Sequence, residues 1–162
     1  MAQQTYSSAQ RGAHWLVLFL VIFQYFTGSG MEHAFDAVAE SGGSWTGTAY
    51  VHGMIGTTIL LTMLFRLYLR STRGAPPPPD TEPSAIQWIS RANHFLFYAV
   101  LIAMPLAGLY AALTLSETAA WLHGNAWTVL LVLIAAHVAG ALWHVSKGDG
   151  VLRRMAGRAP ST

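Results

Sequence analysis

The sequence predicts an all-α integral membrane protein, a four-helix bundle forming one domain over residues 1–162, with both termini cytoplasmic. Three observations predict it. The first is composition. Of 162 residues, 53% are hydrophobic and 10% charged, whereas a soluble domain averages nearer 25% charged. The second is the presence of four apolar runs, at about 13–27, 45–69, 86–114 and 119–146. About 20 helical residues cross a hydrocarbon core of roughly 30 Å. The third is charge placement. A chain crossing four times puts Arg11, Arg66, Arg70, Arg73, Arg91, Lys147, Arg153, Arg154 and Arg158 on one side. Glu32, Asp36, Glu40 and Glu117 fall on the other. The positive-inside rule makes the basic side cytoplasmic.

Each element follows in order. The first ten residues are polar. Arg11 precedes Ala13 to Thr27, an apolar run that opens on His14-Trp15 and contains Gln24. A basic residue before a short apolar run also describes a secretory signal peptide, but no small-residue cleavage site follows, so the run is taken as the first span. Gly28 to Ser44, with four glycines and three acids, reads as an outer loop. The second span, from about Trp45 to Leu69, has His52 near its start, with Gly53 and Gly56 after it. Small residues there allow close approach of a helix or a flat ligand. Gly74 to Pro83 is too proline-rich for a helix and reads as a stiff extended linker.

The third span carries His94 near its start and Met104-Pro105 in its middle, where a kink is expected. A very short turn around Ser116 to Thr118 leads into the fourth span. The tryptophans near the span ends, among them Trp15, Trp45, Trp88, Trp121 and Trp143, form an aromatic belt.

The absence of cysteine excludes disulfides, thiolate-held iron–sulfur clusters and covalently attached c-type haem. The pI near 9.2 reflects membrane topology, because the basic residues lie between apolar spans. No nucleic-acid partner is expected.

Histidine is the unusual residue. Every span carries at least one, and the fourth has His123, His137 and His144. Their steps of 14 and 7 place the three imidazoles within about 60° on one helix face. His123 and His137 are about 21 Å apart along the axis. Polar groups in a span normally face the bundle interior or a functional site. By depth, His52 and His123 pair toward the outer face. His14 lies level with His137 toward the cytoplasm, with His94 and His144 equally near it. His33 falls in the outer loop and reads as solvated. Neutral imidazole is a ligand for haem iron, and b-type haem needs only such ligands and packing. Zinc or copper would gather three or four ligands in one shell, which two pairs separated by the membrane thickness do not provide.

The chain resembles the bacterial cytochrome b561 proteins over about residues 8 to 157. These are dihaem membrane cytochromes related to the cytochrome b subunits of formate dehydrogenases and nickel–iron hydrogenases. The resemblance rests on several pieces of sequence: His14-Trp15, the surroundings of His52 with Arg66-Leu67, and His94 with Met104-Pro105-Leu106-Ala107-Gly108-Leu109. The His123-to-His137 step and the basic ending Lys147 to Met155 complete it. It implies His14, His52, His123 and His137 as axial ligands of two b haems, with His52/His123 outer and His14/His137 inner. His94 and His144 match positions that are not axial ligands.

The function implied is transmembrane electron transfer between a periplasmic donor and ubiquinone, in the bacterial inner membrane. The resemblance extends to superoxide oxidases, which would make the chain a superoxide:ubiquinone oxidoreductase, although the acidic outer face does not attract an anion. The alternative is a non-catalytic subunit relaying electrons for a periplasmic dehydrogenase or haem protein. A small transporter with incidental histidines is a third reading, and predicts no haem. His144, Lys147 and Asp149 are expected at the quinone and proton-handling site. Arg11, Arg66 and Arg70 are candidates for haem propionates.

Overall fold

The computed structural model describes residues 5–45, 47–79 and 82–157. Arg158, counted above with the basic residues, lies outside them, as do residues 1–4 of the polar start and Asp80-Thr81 of the linker. Five helices follow in order: α1 (Ser8–Ser41), α2 (Thr48–Arg73), α3 (Ser84–Thr114), α4 (Glu117–Lys147) and the short α5 (Val151–Ala156). The first four are long and apolar enough to cross a membrane. Their outward faces carry large exposed apolar side chains, such as Phe23, Phe26, Leu61 and Leu113, as lipid-facing surface requires.

Local chemistry sets the helix ends. The Ser7 hydroxyl accepts from the Gln10 N–H (3.3 Å) and the Gln10 side chain accepts from the Ser7 N–H (3.0 Å). This reciprocal cap satisfies two free donors at the start of α1. Pro83 precedes α3, and Ser116 caps α4 by accepting from the Ala119 N–H. Between them only Leu115, in the left-handed conformation, turns the chain. α3 runs unbroken through Pro105.

One sequence expectation is corrected here. Gly28 to Ser44 is not a loop, because α1 continues to Ser41 and ends where Gly42 adopts φ +67°. Gly30 serves packing rather than turning: a Cβ there would lie 2.7 Å from Thr48 Cγ2 at the start of α2. The stretch from Met31 to Glu40 is rich in helix formers. Phe35 also buries itself against Ala111 and Ala119, with Trp45 beside it. At 1.5 Å per residue α1 is about 50 Å long, well beyond the roughly 30 Å hydrocarbon core. Glu32, Asp36 and Glu40 occupy successive turns of the extension and are exposed.

The bundle is two antiparallel hairpins. α1 packs along α2 and α3 along α4, and α2 meets α3. α4 reaches α1 through side chains, as in the stacked Tyr25 and Trp127 rings. A central apolar layer of Val17, Val21, Ile59, Met63, Leu101 and Leu130 joins all four helices. At one end, which we call the terminal end, Gln10 donates to Gly74 O (2.9 Å), Arg154 donates to Pro77 O (2.5 Å), and Arg11 rests against Gly157. α5 thus acts as a latch across this end. The opposite, hairpin end holds the α1–α2 and α3–α4 connections.

Phe35→Ala is expected to remove about 3 kcal/mol of packing from the α1 extension alone. Amide hydrogen exchange should accelerate over 31–41 and stay unchanged over 12–26.

Candidate functional site

At the hairpin end, His52 of α2 and His123 of α4 face each other with ring centres 5.9 Å apart and planes at 74°. Hydrogen bonds fix which nitrogen of each ring is free. The Thr27 hydroxyl donates to Gln24 O (3.0 Å), so its oxygen accepts from His52 Nδ1–H (3.1 Å). That leaves the lone pair on His52 Nε2, which is buried and has no hydrogen-bond partner. His123 Nδ1 stands 2.7 Å from Met104 O. A carbonyl only accepts, so Nδ1 carries the proton and Nε2 again holds the lone pair. Fixing a ligand tautomer through its other nitrogen is the usual second-sphere arrangement of a metal site.

The backbone is shaped for this. A Cβ on Gly108 would lie 2.7 Å from His123 Nδ1, so only glycine lets the ring lie across α3 onto the Met104 carbonyl. Gln24 donates to His52 O (3.0 Å). Its buried Oε1 has no partner and borders a narrow apolar slot between Ile59, Leu101, Met104 and Trp127.

The terminal end holds a second group. His14 and His137 have ring centres 6.2 Å apart at 59°, and His94 stands edge-on to His137 at 5.4 Å. His94 Nδ1 donates to Ser90 O (2.7 Å) on its own helix. Phe97 closes the other side of His137. Arg66 of α2 lies within electrostatic reach of all three imidazoles and of Tyr98. Its Nε and Nη1 are buried without hydrogen-bond partners. A buried guanidinium with unmet donors is costly, and two free N–H groups suit a carboxylate.

These features fit haem. Metal–imidazole bonds of about 2.0–2.1 Å, and about 1 Å more from nitrogen to ring centre, put two axial rings about 6 Å apart, close to both separations. Among the described residues no three His, Asp or Glu side chains converge as a bare metal ion would require. Arg66 offers an anion its partner.

Other expected site residues fall elsewhere. Arg11 bonds Ser8 Oγ (3.3 Å) and packs against α5. Lys147 is exposed over the Trp143 ring at 5.7 Å. His144 and Asp149 do meet, Nδ1 to Oδ2 at 2.5 Å, and a buried acid not singled out from sequence, Glu82, joins them at 3.6 Å. His33 is exposed, on the α1 extension rather than in a loop. Sequence reasoning also missed Thr27. Its one signal was a hydroxyl three residues after Gln24 in an otherwise apolar run.

A membrane bundle that opposes neutral imidazoles across its interior is a membrane cytochrome b. The chain belongs to the prokaryotic cytochrome b561 family, whose model matches residues 5–158. It is therefore a multi-pass membrane protein of electron transfer, and haem b is the cofactor of its class. A cytochrome b562 of Cereibacter sphaeroides is 30% identical over 152 residues, covering 93% of this chain and 94% of the relative. A probable superoxide oxidase, CybB, of Yersinia pestis is 31% identical over 104 residues, 64% of this chain and 56% of the relative.

Thr27→Val strands His52 Nδ1–H and is expected to weaken haem retention about 10- to 100-fold, read by titrating haem into the stripped protein. Gly108→Ala is expected to break the His123–Met104 bond, which the His123 side-chain ¹⁵N shifts report directly.

Proposed function

We propose that the chain carries electrons across the bacterial inner membrane, from a periplasmic donor to ubiquinone, through two b-type haems. His52 and His123 hold one at the hairpin end, and His14 and His137 hold the other at the terminal end. The observation that carries this is the repeat along α4. Opposed imidazole pairs recur 14 residues apart, about 21 Å, with Leu130 midway on the same face and only 2% exposed. Each haem, when bound, supplies a one-electron carrier.

The protein's own contribution is to place ligands, hold anions and exclude water. Two fixed tautomers present Nε2 lone pairs at the hairpin end. His14 and His137 are preferred over His94 as the second pair because their 6.2 Å separation suits a shared metal better than the 5.4 Å edge contact. Arg66 takes a propionate, and the central apolar layer keeps water from between the sites. All described basic residues lie on the terminal side, which makes that side cytoplasmic by the positive-inside rule. His144 and Asp149 then stand where a quinone takes up protons, with Lys147 nearby at the membrane surface.

The name of the Yersinia relative supports superoxide as the donor. A second reading, relay of electrons from a protein partner, is favoured by the exposed Glu32, Asp36 and Glu40 on successive turns of the α1 extension. That surface repels an anion and complements a basic partner.

The purified chain is expected to hold two haem b per polypeptide. His52→Ala or His123→Ala should lower this to one, and His144→Ala should leave both, as measured by pyridine haemochrome against protein. One haem in the parent chain would overturn the two-centre reading. Superoxide-driven ubiquinone reduction by the isolated chain would separate the oxidase from the relay.

A further inference from the structure

We propose that Glu82 is the inner end of a proton relay, Asp149–His144–Glu82, which delivers protons from the terminal-side solvent to a quinone reduced at that end. The inference rests on the quinone-reducing direction proposed above and adds the residue that supplies the proton.

Glu82 lies in the proline-rich α2–α3 linker, where an acid would ordinarily be solvated. Instead its side chain is 4% exposed. It contributes no cap to α3, and its buried Oε1 makes no hydrogen bond. A buried carboxylate oxygen left without a hydrogen bond is costly. The group it faces is His144 Nε2, at 3.6 Å, a few tenths of an ångström beyond a hydrogen bond. The other nitrogen of that ring meets Asp149 Oδ2 at 2.5 Å. His144 and Asp149 side chains are each 13% exposed, so the wet end of the chain is at Asp149 and the dry end at Glu82.

The surrounding contacts hold this geometry. Asp149 Oδ1 accepts from Val151 N–H (3.2 Å), fixing the carboxylate to the start of α5. Arg154 of α5 binds Pro77 O in the linker, and Gln87 of α3 donates to the Glu82 carbonyl (3.0 Å). On α4, His144 follows His137 by seven residues on the same face, about 10 Å along the axis. The relay therefore lies on the terminal side of the histidine group, about two helical turns from His137.

The chemistry balances. Quinone takes two electrons from the donor, by the route proposed above, and two protons, to give quinol. For each proton, the Glu82 O–H bond breaks as a quinol O–H bond forms. The Glu82 carboxylate takes the proton of His144 Nε2, and His144 takes one at Nδ1 from the Asp149 carboxyl, which recovers it from water. Between transfers the imidazole exchanges protons with water, the Nδ1–H bond breaking as an Nε2–H bond forms, which restores the starting tautomer with no net gain or loss of a proton.

The test uses the haem-loaded, full-length chain in vesicles with a short-chain ubiquinone and the donor that reduces the parent protein. In Glu82→Gln, donor-driven haem reduction without quinone should match the parent. Quinol formation should fall about a hundredfold with proton delivery now limiting, so that its solvent deuterium isotope effect grows, and Glu82→Asp should restore most of the rate. The reduced-minus-oxidised infrared spectrum of the parent should contain a carboxyl C=O band that is missing in Glu82→Gln. Retention of the parent rate, isotope effect and band in Glu82→Gln would overturn the relay. So would loss of bound haem in Glu82→Gln and Glu82→Asp alike, which would make the acid structural. Failure of the parent itself to form quinol would instead bring down the quinone reading, and the relay with it.

Discussion

An imidazole placed in hydrocarbon must account for two nitrogens, one that gives a proton and one that offers a lone pair. The rest of this structure depends on how that is met. At His52 and His123 the bundle satisfies only the donor, with Thr27 Oγ1 and the Met104 carbonyl. The lone pair on each Nε2 is left without a hydrogen bond, in rings whose centres are 5.9 Å apart. A side chain that merely decorated a bundle would have both nitrogens bonded or one in solvent. The half-satisfied state gives the helices their purpose and explains why Gly108 can carry no side chain.

That state requires the two hairpins to be held apart at a set distance and still be joined. Joining falls to three regions: the Phe35 cluster at the hairpin end, the layer around Met63 and Leu130 at the centre, and the linker and α5 contacts at the terminal end. Between these regions the helices of opposite hairpins approach through side chains, and there the histidines and Arg66 stand. Arg66 shows the same economy in charge. It is buried with Nε and Nη1 unmet, an arrangement suited to an incoming anion.

The spans, the basic side and the grouping of histidines by depth were legible in the sequence because each is a local or periodic signal. Apolar runs of membrane length announce helices, and steps of 14 and 7 keep side chains on one face. The stretch 28–44 was misread because glycine was taken as a turn former, whereas Gly30 is a contact surface for Thr48. Only the tertiary neighbour distinguishes those roles. Thr27, Gln24 and Glu82 escaped for the same reason. Their meaning lies in partners 25, 28 and 62 positions away, and no periodicity carries such information. Arg11 and Lys147 looked suitable by charge alone, and the structure turns them to α5 and to Trp143.

The latch at the terminal end also fixes an order of assembly. Arg154 closes on Pro77, and Gly157 receives Arg11, so neither contact exists until residues beyond 150 have left the ribosome. Until then α1 and the α2–α3 linker can meet only each other, as Gln10 meets Gly74, and the last short helix is the piece that ties both of them to the end of α4.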